Sequence, residues 1–265
     1  VSMGRKRTLT PEKVTEAILL YTSGINCPEI AERLGTSMEN VRRRLIENGV
    51  TRRSAKDFRT YQLNTSFFRN IDTEKKAYWL GFLAADGYVR HGNLQICLAI
   101  KDQDHLTLFA SALETDCPVR SRYADGHGWR AVFEISSVDI TSDLNHLGIV
   151  QRKTKVLTYP SIEEAFDRHF IRGYFDGDGS LNDQKQSGFS MLGTGHLLTK
   201  CAQIFYQEKI TRRLRVLYPH HSSEGIYNLV VGGNLQFAKL YNWLYRDATT
   251  WLPRKREKFE RLLGR

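Results

Sequence analysis

The chain has 265 residues, enough to bury a sizeable core and to hold more than one domain. Its 39 Lys/Arg against 29 Asp/Glu give a net charge of +10, which favours a polyanionic partner; half of that excess falls in residues 1–60, with 12 basic and 7 acidic residues. No apolar run reaches the roughly 18 residues needed to cross a bilayer, and Val1-Ser2-Met3-Gly4-Arg5-Lys6-Arg7 is followed by no stretch of secretory type, so a cytoplasmic location without a membrane is expected. The four cysteines, Cys27, Cys97, Cys117 and Cys201, form neither a Cys-x-x-Cys metal site nor a disulfide framework and read as reduced thiols. His220-His221 lacks partners at ligand spacing and reads as a loop pair.

Residues 10–49 predict three short helices. Thr10-Pro11 is a cap followed by Pro at the first helical position, and Val14, Ala17, Ile18 and Tyr21 recur at helical spacing up to Gly24. Pro28 opens a second helix, with Ile30, Ala31 and Leu34, closed by Gly35. Ser37 caps a third, with Val41, Leu45 and Ile46, closed by Gly49. The segment from Cys27 to Leu45 resembles a helix-turn-helix: the small Ala31 admits a close crossing and Gly35 lies in the turn. That resemblance directs Ser37, Met38, Asn40 and Arg43 or Arg44 to a major groove. Arg5, Lys6 and Arg7 resemble the basic arm that recombinase DNA-binding domains lay in the minor groove. Residues 1–49 are therefore expected to form a DNA-binding domain. Residues 50–64, polar and basic through Arg52, Arg53, Lys56 and Arg59, read as a linker.

Residues 65–265 contain an internal repeat, with copies at 65–157 and 158–265. In the first copy, Asp72 caps a helix that runs through Trp79 to Asp86. The segment 93–101 alternates strictly, with Leu94, Ile96, Leu98 and Ile100 on one face, and reads as a half-buried strand. A helix at 105–113, strands near 118–123 and 129–136, a helix at 137–147 and Arg152-Lys153 follow. In the second copy, Ser161-x-x-Glu164 reads as a capping box opening a helix at 161–178. A strand at 188–192, a helix at 197–207, strands at 212–218 and 226–231, a helix at 235–245 and Arg254-Lys255 repeat the order. Asp86 to Lys153 is 67 residues and Asp178 to Lys255 is 77, a difference that loops can absorb.

The first helix of each copy ends alike, in Trp79-Leu80-Gly81-Phe82-Leu83-Ala84-Ala85-Asp86-Gly87 and Ile171-Arg172-Gly173-Tyr174-Phe175-Asp176-Gly177-Asp178-Gly179. Gly81 and Ala85, like Gly173 and Gly177, are four apart and share a helix face, where small residues let two backbones approach closely. Gly87 and Gly179 read as left-handed helix ends. Asp86 and Asp178 then sit at negative helix C-termini and, on helices packed in the same direction, repel each other. Two such penalties imply a compensating cation, and oxygen donors, with the Ala85 and Gly177 carbonyls nearby, suit Mg²⁺.

These motifs, their spacing and the duplication resemble the LAGLIDADG homing endonucleases in their single-chain, two-motif form, over roughly residues 64–265. The resemblance implies an α+β fold, αββαββα twice, forming a saddle with pseudo-twofold symmetry behind the three-helix helix-turn-helix domain. It implies a monomer, with no obligatory protein partner, that cuts both strands of double-stranded DNA at a long target with Mg²⁺ (Mn²⁺ as substitute), leaving short 3′ overhangs. Its essential acidic position falls on Asp86 and Asp178. Asp176, with Ala84 as its counterpart, departs from symmetry at a position not expected to bind metal. The lysine that family members place near each scissile phosphate best matches Lys153 and Lys255, with Lys101 as a further candidate. Polar strand faces are expected to contact DNA through Asn93, Gln95, Arg120, Arg122, Arg130, Asn182, Lys185, Arg213, Arg215 and Asn228; Arg suits guanine edges and Asn or Gln suits adenine. Two rival readings are a non-catalytic DNA-binding regulator of the same fold, expected to lack one or both acidic residues, and an intron RNA maturase.

Overall fold

The computed structural model describes residues 9–51, 59–182 and 188–264. The chain divides into two compact units, Val1–Phe58 and Arg59–Arg265. Arg5, Lys6, Arg7 and Lys185, and Arg52, Arg53 and Lys56 of the expected linker, lie outside the described residues.

In the first unit α1 spans Pro11–Thr22, α2 Cys27–Leu34 and α3 Met38–Glu47. Each begins on a polar cap: the Thr10, Asn26 and Ser37 side chains accept from the backbone N–H of Lys13, Glu29 and Asn40. Gly35, at φ 66°, stops α2 in the left-handed conformation that glycine adopts without steric cost. Ala17, Tyr21, Ile30, Ala31, Leu34, Val41 and Leu45 form a small core of their own.

The second unit runs α4 (Glu74–Asp86), β1 (Gly87–Arg90), β2 (Asn93–Ala99), α5 (Gln103–Ala112), β3 (Arg120–Ala124), β4 (Gly128–Ser136) and α6 (Val138–His146). It then repeats as α7 (Asp167–Asp178), β5 (Gly179–Asn182), β6 (Gly188–Thr194), α8 (Gly195–Gln207), β7 (Tyr218–Pro219), β8 (Ile226–Gly232) and α9 (Asn234–Tyr245), and adds α10 (Pro253–Leu262). Each copy is thus αββαββα. Each forms a four-stranded antiparallel sheet, in the orders β1-β2-β4-β3 and β5-β6-β8-β7. Leu94, Ile96, Leu98, Ala131, Phe133 and Ile135 turn one face of the first sheet into the core, and Phe189, Met191, Leu229 and Val231 do so for the second. The alternation along β2 fixed its face, because side chains of a strand point alternately to its two sides.

Several local expectations are corrected. Residues 59–64 belong to the second unit rather than a free linker. The Gln62 N–H donates to Asp116 Oδ1 at 2.7 Å, the Asn64 N–H to the Leu113 carbonyl at 2.9 Å, and the Tyr61 hydroxyl accepts from the Ser136 N–H at 2.7 Å. Thr73, not Asp72, caps α4, since the Asp72 carboxylate is engaged with Lys76 Nζ at 2.8 Å. The helix expected at 161 begins at Asp167, after a 3-10 turn at Glu164–Phe166, with no side-chain cap. The Tyr159 hydroxyl, 2.7 Å from Asp167 Oδ1, ties the segment before it to that start. β2 ends at Ala99, and Ile100 lies exposed in a 3-10 turn rather than on the core face. The strand expected at 212–218 shrinks to Tyr218–Pro219. The alternation Arg213-Leu214-Arg215-Val216 imitates a strand, but Leu214 and Val216 are exposed and no ladder pairs them.

Candidate active site

α4 and α7 meet backbone to backbone. A Cβ on Gly81 would overlap the Phe170 carbonyl oxygen, and one on Gly173 the Tyr78 carbonyl oxygen. One helical turn further, a Cβ on Gly177 would overlap Ala85 Cβ and lie 3.2 Å from Asp86 Oδ2. The contacts advance together along both helices, so the helices run in the same direction and bring Asp86 and Asp178 to one end of the seam. Glycine at 81, 173 and 177 allows this approach, and Ala85, four after Gly81, adds only a methyl group opposite Gly177.

Gly87 and Gly179 are not left-handed ends. Their φ, ψ are −73°, 140° and −83°, 159°, which is extended backbone, and each opens a strand directly from its helix. Glycine is needed there for room: a Cβ on Gly87 would lie 2.6 Å from the Leu83 carbonyl oxygen, and one on Gly179 would meet the Phe175 ring and carbonyl.

Both carboxylates reach solvent, yet protein crowds them on most sides. Exclusion of bulk water from that hollow, followed by repulsion from Asp178, raises the Asp86 pKa to about 6; Lys255, Lys153 and Arg254 act in the opposite sense. Burial likewise raises Asp178, against the pull of Lys153 and Lys255. The two lysines are placed alike. Lys153 Nζ donates to the Gly87 carbonyl, the residue after Asp86. Lys255 Nζ donates to the Gly179 carbonyl, the residue after Asp178, and to the Phe175 carbonyl at 2.8 Å. Burial lowers both ammonium groups, Lys255 to about 8; Asp178 and Asp86 pull Lys153 upward, and Asp176, ahead of Asp86 and Asp178, pulls Lys255 upward against Arg254. The structure therefore gathers Asp86, Asp178, Lys153 and Lys255 with Ala85 and Gly177 at their base. Lys101, exposed in the 3-10 turn after β2, is not among the leading charges acting on either carboxylate.

The donor set suits a hard divalent cation. Two carboxylates lie near enough for Asp178 to act on Asp86, and no group of three or more His, Cys, Asp or Glu gathers anywhere among the described residues. Mg²⁺ fits such a sparse set, since it keeps several waters and takes one or two carboxylates together with substrate phosphate.

On the first sheet, the face away from the core carries Asn93, Gln95 and Arg130, and the register adds Arg120 and Arg122 beside Val132 and Arg130. Tyr88 and Arg90, paired with Gln95 and Asn93, share this face and were missed from sequence, because β1 is too short to show alternation. Asn182 and Asn228 lie on the corresponding face of the second sheet, with Ser180, Ser190, Leu192 and Val230. Arg213 and Arg215 lie off the sheet, and Arg215 is engaged with Gln236 Oε1 at 3.3 Å. In α3, Met38 and Arg43 are exposed. Asn40 is instead buried: its amide donates to Thr36 Oγ1 and its oxygen accepts from Arg43, both at 2.9 Å. Ser37 is occupied as the cap and Arg44 pairs with Glu47 at 2.9 Å.

Two residues named in the sequence, Arg254 and Asp176, make contacts that were not foreseen from it. Arg254 acts on Asp86 and pairs with Asp102 at 3.0 Å. Asp176 is wholly enclosed, with Oδ2 accepting from the Tyr78 hydroxyl and the Leu252 N–H, each at 2.7 Å. A carboxylate in the middle of a helix that packs on both sides was the available signal.

No protein-family model matches the chain, and no curated protein does. Among solved structures it is similar to the LAGLIDADG meganuclease I-AabMI bound to uncleaved DNA, at 13% identity and a TM-score of 0.47, over 71% of this chain and 88% of that one. It is similar to the I-SmaMI LAGLIDADG homing endonuclease bound to cleaved DNA, at 10% identity and a TM-score of 0.47, over 74% and 89%. It is also similar to the I-LtrWI LAGLIDADG homing endonuclease bound to target DNA, at 10% identity and a TM-score of 0.45, over 76% and 91%.

Proposed function

We propose that the chain is a site-specific endonuclease that hydrolyses both strands of duplex DNA at a long target, working as a monomer and leaving short 3′ overhangs. The observation that carries this reading is the paired site. Two carboxylates at the end of a glycine seam each have a lysine bound to the carbonyl that follows them, one set from each copy of the repeat. Two half-sites in one chain, one from each copy, suit the cutting of two antiparallel strands.

Asp86 and Asp178 would hold Mg²⁺, which when bound supplies charge neutralisation at the phosphate and an acidified water. Lys255 Nζ, with its pKa lowered to about 8, keeps its proton at neutral pH; Lys255 and Lys153 both act on both carboxylates, Lys255 more strongly on Asp86 and Lys153 more strongly on Asp178. Each ammonium can stabilise negative charge as it develops on the phosphate or the leaving oxygen. Arg90, Arg120, Arg122 and Arg130 on the first sheet favour phosphates or guanine edges, and Asn93, Gln95, Asn182 and Asn228 favour adenine. The three-helix unit adds contacts at one end of the target, through Met38 and Arg43 on α3 and the basic arm at Arg5, Lys6 and Arg7.

The test is incubation with a random-sequence duplex library and Mg²⁺, beside Asp86→Asn and Asp178→Asn. Double-strand cutting at a recurring sequence, lost in both variants, is expected. Enrichment of a bound sequence without cutting, in Mg²⁺ or Mn²⁺, would refute the enzymatic reading and leave a DNA-binding regulator.

A further inference from the structure

We infer that Asp176 is a positioning residue for Lys255, and that it makes the two half-sites unequal. This rests on the nuclease reading above.

Asp176 occupies the interior of α7, two residues before Asp178, and is 1% exposed. Its Oδ2 accepts from the Leu252 N–H, and Leu252 is the N-cap of α10. No side chain of α10's own first turn caps that helix, so Asp176 provides from another helix the acceptor that an N-terminus needs. Its negative charge also lies where the helix dipole is positive. Lys255 is the third residue of α10. The same turn that Asp176 pins therefore delivers Lys255 Nζ to the Phe175 and Gly179 carbonyls at the end of α7. α7 and α10 are thus fastened twice, by a carboxylate of α7 at the start of α10 and by an ammonium of α10 on carbonyls at the end of α7. The Tyr78 hydroxyl donates to the same Oδ2, and its oxygen lies 2.9 Å from His105 Nε2, which holds the Asp176 carboxylate in one orientation.

The first copy lacks this device. Ala84 stands where Asp176 would, and no helix corresponding to α10 carries Lys153. That lysine lies in the 3-10 turn Lys153–Lys155 and reaches Gly87 from there. Loss of Asp176 is expected to displace one lysine and leave the other in place.

Two readouts on the full chain test this. The first is residue-resolved labelling of lysine amines with formaldehyde and a hydride donor, at a pH well above the Lys255 value of about 8, followed by mass spectrometry. At that pH the amine is already neutral, and loss of the Asp176 charge alone does not raise its reactivity. Lys255 should label slowly in the wild type and faster in Asp176→Ala, with Lys153 unchanged. The second is cleavage of a duplex that the wild type selects from the random library. Asp176→Ala should accumulate molecules nicked always in the same strand, with cutting of the other strand slowed roughly tenfold or more, since small misplacements of a catalytic group cost rates of that order. Asp176→Asn keeps an acceptor for the Leu252 N–H and should restore both readouts, whereas a merely structural loss would slow both strands together. Asp176→Leu, close in volume but without an acceptor, replaces Asp176→Ala if that variant does not fold. Unchanged Lys255 labelling, equal slowing of both strands, or failure of Asp176→Asn to rescue would overturn the inference. If the wild type cuts no duplex, the nuclease reading fails, and the labelling comparison decides the positioning by itself.

Discussion

Asp86→Asn is expected to stabilise the second unit at neutral pH while abolishing cleavage. Crowding and the neighbouring Asp178 raise the Asp86 pKa from 3.8 to about 6. A rise of that size corresponds to about 3 kcal/mol of preference for the neutral form. The side chain is open to solvent, and screening reduces the effect to about 1 kcal/mol. The folded-state value lies above the unfolded one, so folding takes up a proton between them. The favourable contribution is therefore complete below 3.8 and lost as the pH rises through about 6, leaving the ionised carboxylate as a cost at pH 7.5. Asparagine removes that cost. All four tryptophans, Trp79, Trp129, Trp243 and Trp251, lie in the second unit, so their fluorescence reports its unfolding alone. Thermal melts in EDTA at pH 7.5 should show Tm raised by about 2–4 °C in the variant, an ordinary shift for about 1 kcal/mol in a unit of this size. The difference should vanish near pH 4. Added Mg²⁺ should stabilise the wild type more than the variant, because a ligand of the folded state raises stability by mass action. A variant less stable than the wild type at pH 7.5, or a gain that persists unchanged to pH 4, would refute the electrostatic account.

Gly173→Ala sets a methyl group against the Tyr78 carbonyl, so it should destabilise the second unit by about 3 kcal/mol or more in urea melts, at the upper end of overpacking costs. Arg172→Met should cost roughly 3–5 kcal/mol in the same assay, because Glu74 and the carbonyls of Leu244 and Thr250 lose a buried partner. If the first sheet holds DNA, Arg122→Ala should weaken binding in fluorescence anisotropy; a phosphate contact would lower the salt dependence by about one counterion, and a guanine contact would relax preference at one base pair. Deleting residues 1–58 should shorten the protected footprint at one end, and an unchanged footprint would contradict a DNA-binding role for the three-helix unit.

Much of the candidate site was legible before any tertiary information. The i, i+4 spacing of Gly81 with Ala85 and Gly173 with Gly177 marked the helix seam, because small residues on one helix face let two backbones approach closely. The recurrence of Arg-Lys after each copy pointed to Lys153 and Lys255, and both reach the carbonyl after their carboxylate. Other features were not legible. The backbone conformation at Gly87 and Gly179 follows from strands starting at once, whereas Asp-Gly by itself equally suits a turn. The 212–218 segment has the alternation of a strand, but alternation does not supply a neighbour to pair with. Asn40 lies at a plausible reading position on α3, yet Thr36 and Arg43 occupy its amide.

The sequence by itself determined the duplication, the elements with strong periodicity or caps, the polar and apolar faces of β2, and the carboxylate pair at the ends of α4 and α7. These are local properties, encoded by neighbours three or four positions away on a helix or two on a strand. Only the tertiary structure decided the electrostatics and the asymmetry. The elevated Asp86, the lowered Lys255 and the pinning of α10 by Asp176 depend on groups 70 or more positions apart, such as Asp176 and Leu252, which no local pattern brings together. Their energies follow from enclosure and from charges that only folding makes neighbours.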